Sequence, residues 1–293
     1  MSDTPQSDTP QPDVPRSDVP RSIDLSIEVP GTPEEVWRAI ATGPGISSWY
    51  VPHRVEERAG GTATASFGPG PEMQIDGRVA AWEPPRRIVF DDGEGKSGLA
   101  FEWLVEARDG GSCVVRLVNT GFGDGGEWDD QYDALHEGWQ LFLLSLRLHL
   151  EHFRGRDGAA AMPTGVWAVD AQKAWDAVAA GLRIPSTLGV GDRLDLDGGH
   201  SLDGEQGLDA ETGLDGERAA HLAGTVVDVA ERRVALLVDE PAPGIAFVVA
   251  ETHGPVCSVS VWAYLYGDDR ESLASDLGAA WQRWLDAHNP SPG

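Results

Sequence analysis

The chain has 293 residues, 41% of them hydrophobic and 11 of them Trp, with a formal net charge of −26 at pH 7. That length and apolar content suffice for two packed cores, while so negative a surface repels nucleic-acid phosphates and anionic lipid, so neither is expected as a partner. No uninterrupted apolar stretch reaches the ~18 residues of a membrane span and no apolar run opens the chain, so neither membrane insertion nor export is expected. Cys113 and Cys257 lie far apart in strand-like segments and read as buried thiols of a cytoplasmic protein.

Residues 1–21 repeat Ser-Asp-Thr/Val-Pro pentads. A proline in every pentad removes backbone donors, and little apolar area offsets the cost of ordering, so a disordered tail is predicted. Ile23 to Val29 alternates as a strand with one buried face. Pro30-Gly31 ends it, and Thr32-Pro33-Glu34-Glu35 is a helix start: an N-cap hydroxyl, proline in the first turn and an acid at the third position. The helix carries Val36, Trp37 and Ile40, and Ile46, Trp49 and Tyr50 follow. Strands are expected over 53–58, 62–67, 72–83, 87–91, 98–107 and 112–120. In the 98–107 segment the alternation turns Phe101, Trp103 and Val105 inward. A long helix is expected over 126–153, with Tyr132, Leu135, Trp139, Phe142, Leu146 and Phe153 on one face and Leu143 and Leu150 widening it.

Residues 155–164 read as a linker, and the following half partly repeats the first. Ala174-Trp175 mirrors Val36-Trp37; Gly224 to Val229 with Arg232-Arg233 mirrors Gly77-Arg78-Val79 with Arg86-Arg87. The segment around Cys257 mirrors that around Cys113, and Trp281 to Leu285 ends a shorter closing helix. The expected organisation is a tail (1–21), a first domain (22–154), a linker (155–164) and a second, degenerate copy (165–289). Within the second copy, residues 196–217 repeat Leu-Asp-Gly at period six. Loose Ca²⁺ capture would need oxygen ligands at EF-hand spacing, which Gly199 and Gln206 break; an expanded acidic loop is the reading kept.

Few motifs carry chemistry. Gly95-Lys96-Ser97 resembles the end of a phosphate loop, but Phe90 stands where that loop needs glycine and a strand follows instead of a helix. His200, His221 and Cys257 share no zinc-ligand spacing. No metal or cofactor is expected, and no catalytic residue is assigned.

Taken together, Pro33-Glu34-Glu35-Val36-Trp37, Trp49, Gly77-Arg78-Val79, Glu83-Pro84-Pro85-Arg86-Arg87-Ile88, Asn119-Thr120-Gly121-Phe122 and Gly138-Trp139, in that order, resemble the SRPBCC (START-like, helix-grip) superfamily. The branch they are most similar to is the activator of heat-shock protein 90 ATPase homologue-like family. The resemblance spans residues 21–154 and implies an α+β fold: a curved antiparallel sheet wrapped on a long C-terminal helix around a ligand-sized cavity, here in two tandem copies. If the helix closes over the sheet, Trp49, Tyr50, Met73, Phe90, Phe101, Trp103, Trp139, Phe142 and Leu146 should line that space, with Asn119 and His136 as polar groups. The leading expectation is a cytoplasmic protein holding a small hydrophobic molecule. The alternatives are a co-chaperone-like module that contacts a protein partner, and a cyclase- or hydrolase-like enzyme using His136 as acid or base.

Removing residues 1–20 should leave the melting temperature unchanged in a thermal denaturation scan, because a disordered tail adds no packed area.

Overall fold

The computed structural model describes residues 22–68, 70–93, 98–122, 126–198, 221–253 and 256–290, with side chains of 126–134 and 137 set aside. The pentad tail, the Gly95-Lys96-Ser97 turn and all but the first residues of the acidic insert lie outside these residues.

The first half begins with β1 (Ile23–Pro30), then α1 (Pro33–Ala41) and α2 (Gly43–Ser47). The start of α1 is set locally: the Thr32 hydroxyl accepts from the Glu35 amide at 3.3 Å, and the Thr32 amide donates to the Glu35 carboxylate at 2.8 Å. Strands β2 (His53–Val55), β3 (Thr62–Ser66), β4 (Gln74–Glu83), β5 (Arg87–Asp91), β6 (Ala100–Arg108) and β7 (Ser112–Thr120) follow, then α3 (Gly126–His152). They form one antiparallel sheet in the order β1-β7-β6-β5-β4-β3-β2. Its inner face carries Ile23, Val79, Ile88, Trp103, Val115 and Leu117, all buried against α1 and α3. This is the expected helix-grip arrangement.

The second half has the same plan, again with seven strands. Its elements are β8 (Gly158–Ala161), β9 (Thr164–Trp167), α4 (Ala171–Gly181), β10 (Arg193–Asp197), β11 (His221–Ala230), β12 (Arg233–Glu240), β13 (Gly244–His253), β14 (Val256–Tyr266) and α5 (Arg270–Ala287). The order is β10-β11-β12-β13-β14-β8, with β9 also on β14. Each repeat recognised in the sequence falls on equivalent elements, and finer marks agree as well. Gly77 on β4 and Gly224 on β11 are both places where a Cβ would strike the carbonyl of the neighbouring strand, at 2.6 Å from Asp91 and 2.2 Å from Leu237. Two residues beyond each glycine the register shifts by a bulge, between Val79 and Ala81 and between Val226 and Asp228. Gly158–Ala161, inside the stretch expected as a linker, is instead a strand paired with β14. Its run of small residues lets β14 approach closely, a signal that reads in sequence as flexibility.

The two sheets are not side by side. α3 lies between them. Leu143, Leu146 and Leu150 enter the core of the first sheet, while Leu141, Leu144, Leu148 and Phe153 just after it pack on Ile245, Phe247, Val249, Tyr264 and Tyr266 of the second. A helix apolar on both sides requires cover on both sides. The opposite face of the second sheet is closed by α4 and α5, where Trp167, Trp281, Trp284 and Leu285 fill the interior.

Polar contacts pin the halves together around Ser48. Its carbonyl accepts from the Tyr266 hydroxyl at 2.7 Å, and its hydroxyl accepts from the Gly158 amide at 2.8 Å. Because Tyr266 already donates to Ser48, it must accept from His149 Nδ1, 2.8 Å away, which places the proton of His149 on Nδ1. Phe153 stacks on Tyr266 with ring centroids 3.9 Å apart.

Burial depresses the His149 pKa from 6.5 to about 4. The unfolded chain therefore takes up a proton that the folded one refuses, so this stabilisation is complete above pH 6.5 and lost as pH falls toward 4. Denaturant titrations across that window should show about 3 kcal/mol of lost stability from this group, and a shallower loss in His149→Gln.

Candidate functional site

Between α3 and the first sheet lies a cavity of about 680 Å³. Its floor is set by Trp49, whose indole N–H donates to the Ala39 carbonyl at 2.8 Å and so locks the ring against α1. Trp103 meets Trp49 edge-on at 5.7 Å, and Tyr50 stacks beside it at the same distance. α3 contributes Leu135, Gly138, Trp139 and Phe142, a row at helical spacing. Trp139 sits at the centre, with ring centroids 5.2 Å from Tyr50, 5.6 Å from Phe101 and 5.5 Å from Trp103. Gly138 is the gap in this row: a Cβ there would meet nothing within 4 Å. Phe67 and Ile75 line the space while remaining exposed, so they form its apolar outer lip.

Polar groups collect on two parts of the wall. From the first sheet come Asp76, Arg78, Asp91 and Asp92. Arg78 holds Asp91 through paired contacts of 2.7 and 3.2 Å, which keeps that carboxyl below its usual range. His53 is also in the wall. Its Nδ1 lies 2.7 Å from the Val51 carbonyl, which can only accept, so Nδ1 carries the proton; burial lowers the ring's pKa and keeps it neutral. Burial also pushes the Tyr50 phenol well above its ordinary value, leaving it protonated.

The other polar part belongs to the second half. On β14 the residues facing α3 run Tyr266, Tyr264, Trp262, Ser260, Ser258, at the period of two that keeps them on one face. The first two are under the helix. Trp262 stacks on Phe142 at 5.3 Å with planes 13° apart. Ser260 and Ser258 then reach the cavity, joined by Glu251 from β13 and Thr164 from β9. The first half's cavity is thus completed by the outer face of the second half's sheet.

Of the eleven residues singled out in the sequence, Trp49, Tyr50, Phe90, Phe101, Trp103, Trp139 and Phe142 line this space. Four do not. Met73 ends a 3-10 turn (Pro71–Met73) that lifts it out of strand alternation, leaving it 42% exposed. Leu146 is fully buried one turn beyond Phe142, where helix and sheet have already met. Asn119 is buried with its amide turned onto the Ala100 carbonyl at 3.1 Å. His136 is half-buried and lies off the row of α3 that faces the cavity; the histidine of the wall is His53. The sequence reading missed Gly138, His53, Arg78 and every residue of the second half. Only Gly138 had a local signal, a glycine inside a strongly helical run. Among the described residues, no group of three or more His, Cys, Asp or Glu is placed to hold a metal ion.

Residues 30–151 match the family described as Activator of Hsp90 ATPase homolog 1-like protein. No curated protein matches the chain. Among solved structures, the Aha1 dimer from Colwellia psychrerythraea aligns at 20% identity over 46% of this chain and 99% of its own, with a TM-score of 0.39. The di-domain ARO/CYC BexL of the BE-7585A biosynthetic pathway aligns at 16% identity over 93% of this chain and 100% of its own, with a TM-score of 0.41. CalU16 from Micromonospora echinospora aligns at 22% identity over 44% and 73%, with a TM-score of 0.36.

Trp139 is 5% exposed and touches four other aromatic rings. Trp139→Ala should destabilise the fold by about 3–5 kcal/mol in chemical denaturation; a loss near zero would mean that α3 does not close on the sheet through this ring.

Proposed function

We propose that this protein binds a small, largely apolar molecule with a polar end in the cavity of its first half, and that it acts in the cytoplasm. The observation that carries the reading is the contrast between the two halves. In the second, the space between closing helix and sheet is packed by Trp167, Trp281 and Trp284. In the first, the equivalent space stays open although nine aromatic side chains surround it. A larger side chain could enter it from α3, where Gly138 stands with open space before it. An apolar surround with a few placed polar groups is the usual build of a small-molecule site. The free thiols Cys113 and Cys257, both buried, fit a reducing compartment.

The protein-partner alternative would draw support from an apolar outer face on α3. That face exists, but Phe247, Tyr264 and Tyr266 of the same chain cover it. Exposed apolar patches, not covered ones, mark docking surfaces.

Gly138→Trp separates binding from folding. It should raise helix stability by about 0.5 kcal/mol through propensity alone while its ring occupies the cavity. Titration with N-phenylnaphthylamine, whose fluorescence rises on burial in apolar surroundings, should give saturable binding to the natural protein, weakened at least about tenfold in the variant. Equal binding by both proteins would remove the cavity as the site.

A further inference from the structure

Thr164 sits at the meeting point of the two halves, exposed at the cavity wall on edge strand β9. Its backbone is clamped: the amide donates to the Gln282 side-chain oxygen at 3.2 Å, and its carbonyl accepts from the Gln282 amide at 3.2 Å. Gln282 is on α5, so the closing helix of the second half fixes where this hydroxyl stands. Two groups then converge on Thr164 Oγ1. The Trp262 indole N–H donates to it at 3.2 Å, and the Ser260 hydroxyl lies 3.0 Å away.

The direction of the second bond follows from burial. Ser260 is 1% exposed. Were Thr164 to donate to it, the Ser260 proton would be left buried without an acceptor, at a cost larger than a hydrogen bond contributes. Ser260 therefore donates to Thr164. A hydroxyl has two lone pairs and one proton. With both lone pairs taken by Trp262 and Ser260, Thr164 retains only its proton to offer.

We propose that Thr164 is a specificity-determining residue of the cavity, a one-way hydrogen-bond donor supplied by the second half, and that the ligand presents a neutral oxygen acceptor such as a carbonyl to it. The inference rests on the binding reading above and adds the chemistry of the ligand's polar end. The Trp262–Phe142 stack ties the donor to the aromatic wall, so an apolar body lying along Trp139 and Phe142 carries its acceptor toward Thr164. Glu251, on the same part of the wall, places an acidic group near Thr164, so a neutral acceptor fits there better than a carboxylate.

Two fluorescent probes of similar size test it on the full chain: prodan, a naphthalene bearing one ketone, and N-phenylnaphthylamine, which has no oxygen. Prodan emission moves to longer wavelength when its ketone accepts a hydrogen bond. Thr164→Val keeps the shape and removes the donor; Thr164→Ser keeps the donor. The expected result is prodan affinity reduced about fivefold in Thr164→Val, with its bound emission shifted to shorter wavelength. Thr164→Ser should behave like the natural protein, and N-phenylnaphthylamine should bind all three equally. If prodan binds all three alike with the same emission, the donor role is overturned while the cavity reading stands. If both probes weaken together in Thr164→Val, the residue shapes the wall and does not donate, which also overturns the proposal. If neither probe binds the natural protein, the binding reading fails and the proposal with it.

Discussion

The structure depends on α3 being apolar on two sides. A helix of 27 residues that served only the first sheet would leave Leu141, Leu144 and Leu148 in water, each a loss of roughly 1.5–3 kcal/mol relative to burial. The second sheet supplies the missing cover, and its own outer face, lined by Ile245, Phe247, Val249 and Tyr264, needs the helix equally. Neither half can shed its partner without exposing a contiguous apolar surface. The tie between the domains is therefore a shared core in which one helix belongs to both, and the Ser48–Tyr266–His149 contacts fix its orientation.

That arrangement also explains why the cavity is where it is. The helix makes full contact with both sheets over its C-terminal part, from Leu141 to Leu150, and there the packing is solid. Toward its N-terminal part the side chains facing the first sheet are Leu135, Gly138 and Trp139, and the glycine leaves a space the aromatics surround but do not close. β14 follows the same gradient. Its α3-facing residues pass from Tyr266 and Tyr264 through Trp262 to Ser260 and Ser258, apolar where they meet the helix and polar where they meet the cavity. A sheet face with only a packing role would have no reason to become polar while still enclosed: Ser260 is 1% exposed.

The legible part of this plan was the part written in local pattern. Alternation over 98–107 turned Trp103 and Val105 inward, the Thr32-Pro33-Glu35 cap began α1, and the repeated Gly-x-Val and Cys-centred segments marked a second copy; each follows from sequence neighbours alone. What escaped was long-range. Thr164 and Ser260 are 96 positions apart and meet only because β9 pairs with β14. Gly158–Ala161 looked like a linker because a stretch of glycine and alanine is compatible with flexibility and with close strand approach alike. His136 is legible because position on a helix face can be counted, whereas the fold of the loop after Tyr50, which brings His53 into the wall, cannot. Leu146 had the right face of α3 but the wrong depth, since periodicity fixes direction and not how near the sheet lies.

The two halves share a frame but not an interior. Their common frame is preserved in detail: the glycine against a neighbouring carbonyl on β4 and β11, the bulge two residues beyond it, and the buried cysteine on β7 and β14. Those features serve sheet curvature and close packing, which both copies need. The interiors have diverged. In the second, Trp167, Trp281 and Trp284 occupy the space that the first keeps open, so the second half has a filled core where the first has a cavity. Rigidity is what a wall requires, because a donor held loosely discriminates poorly between ligands. α5 shows the link directly: Trp281 and Trp284 are set in that core, while Gln282 between them reaches the edge strand and fixes Thr164. The filled copy thus positions the polar side of the open one.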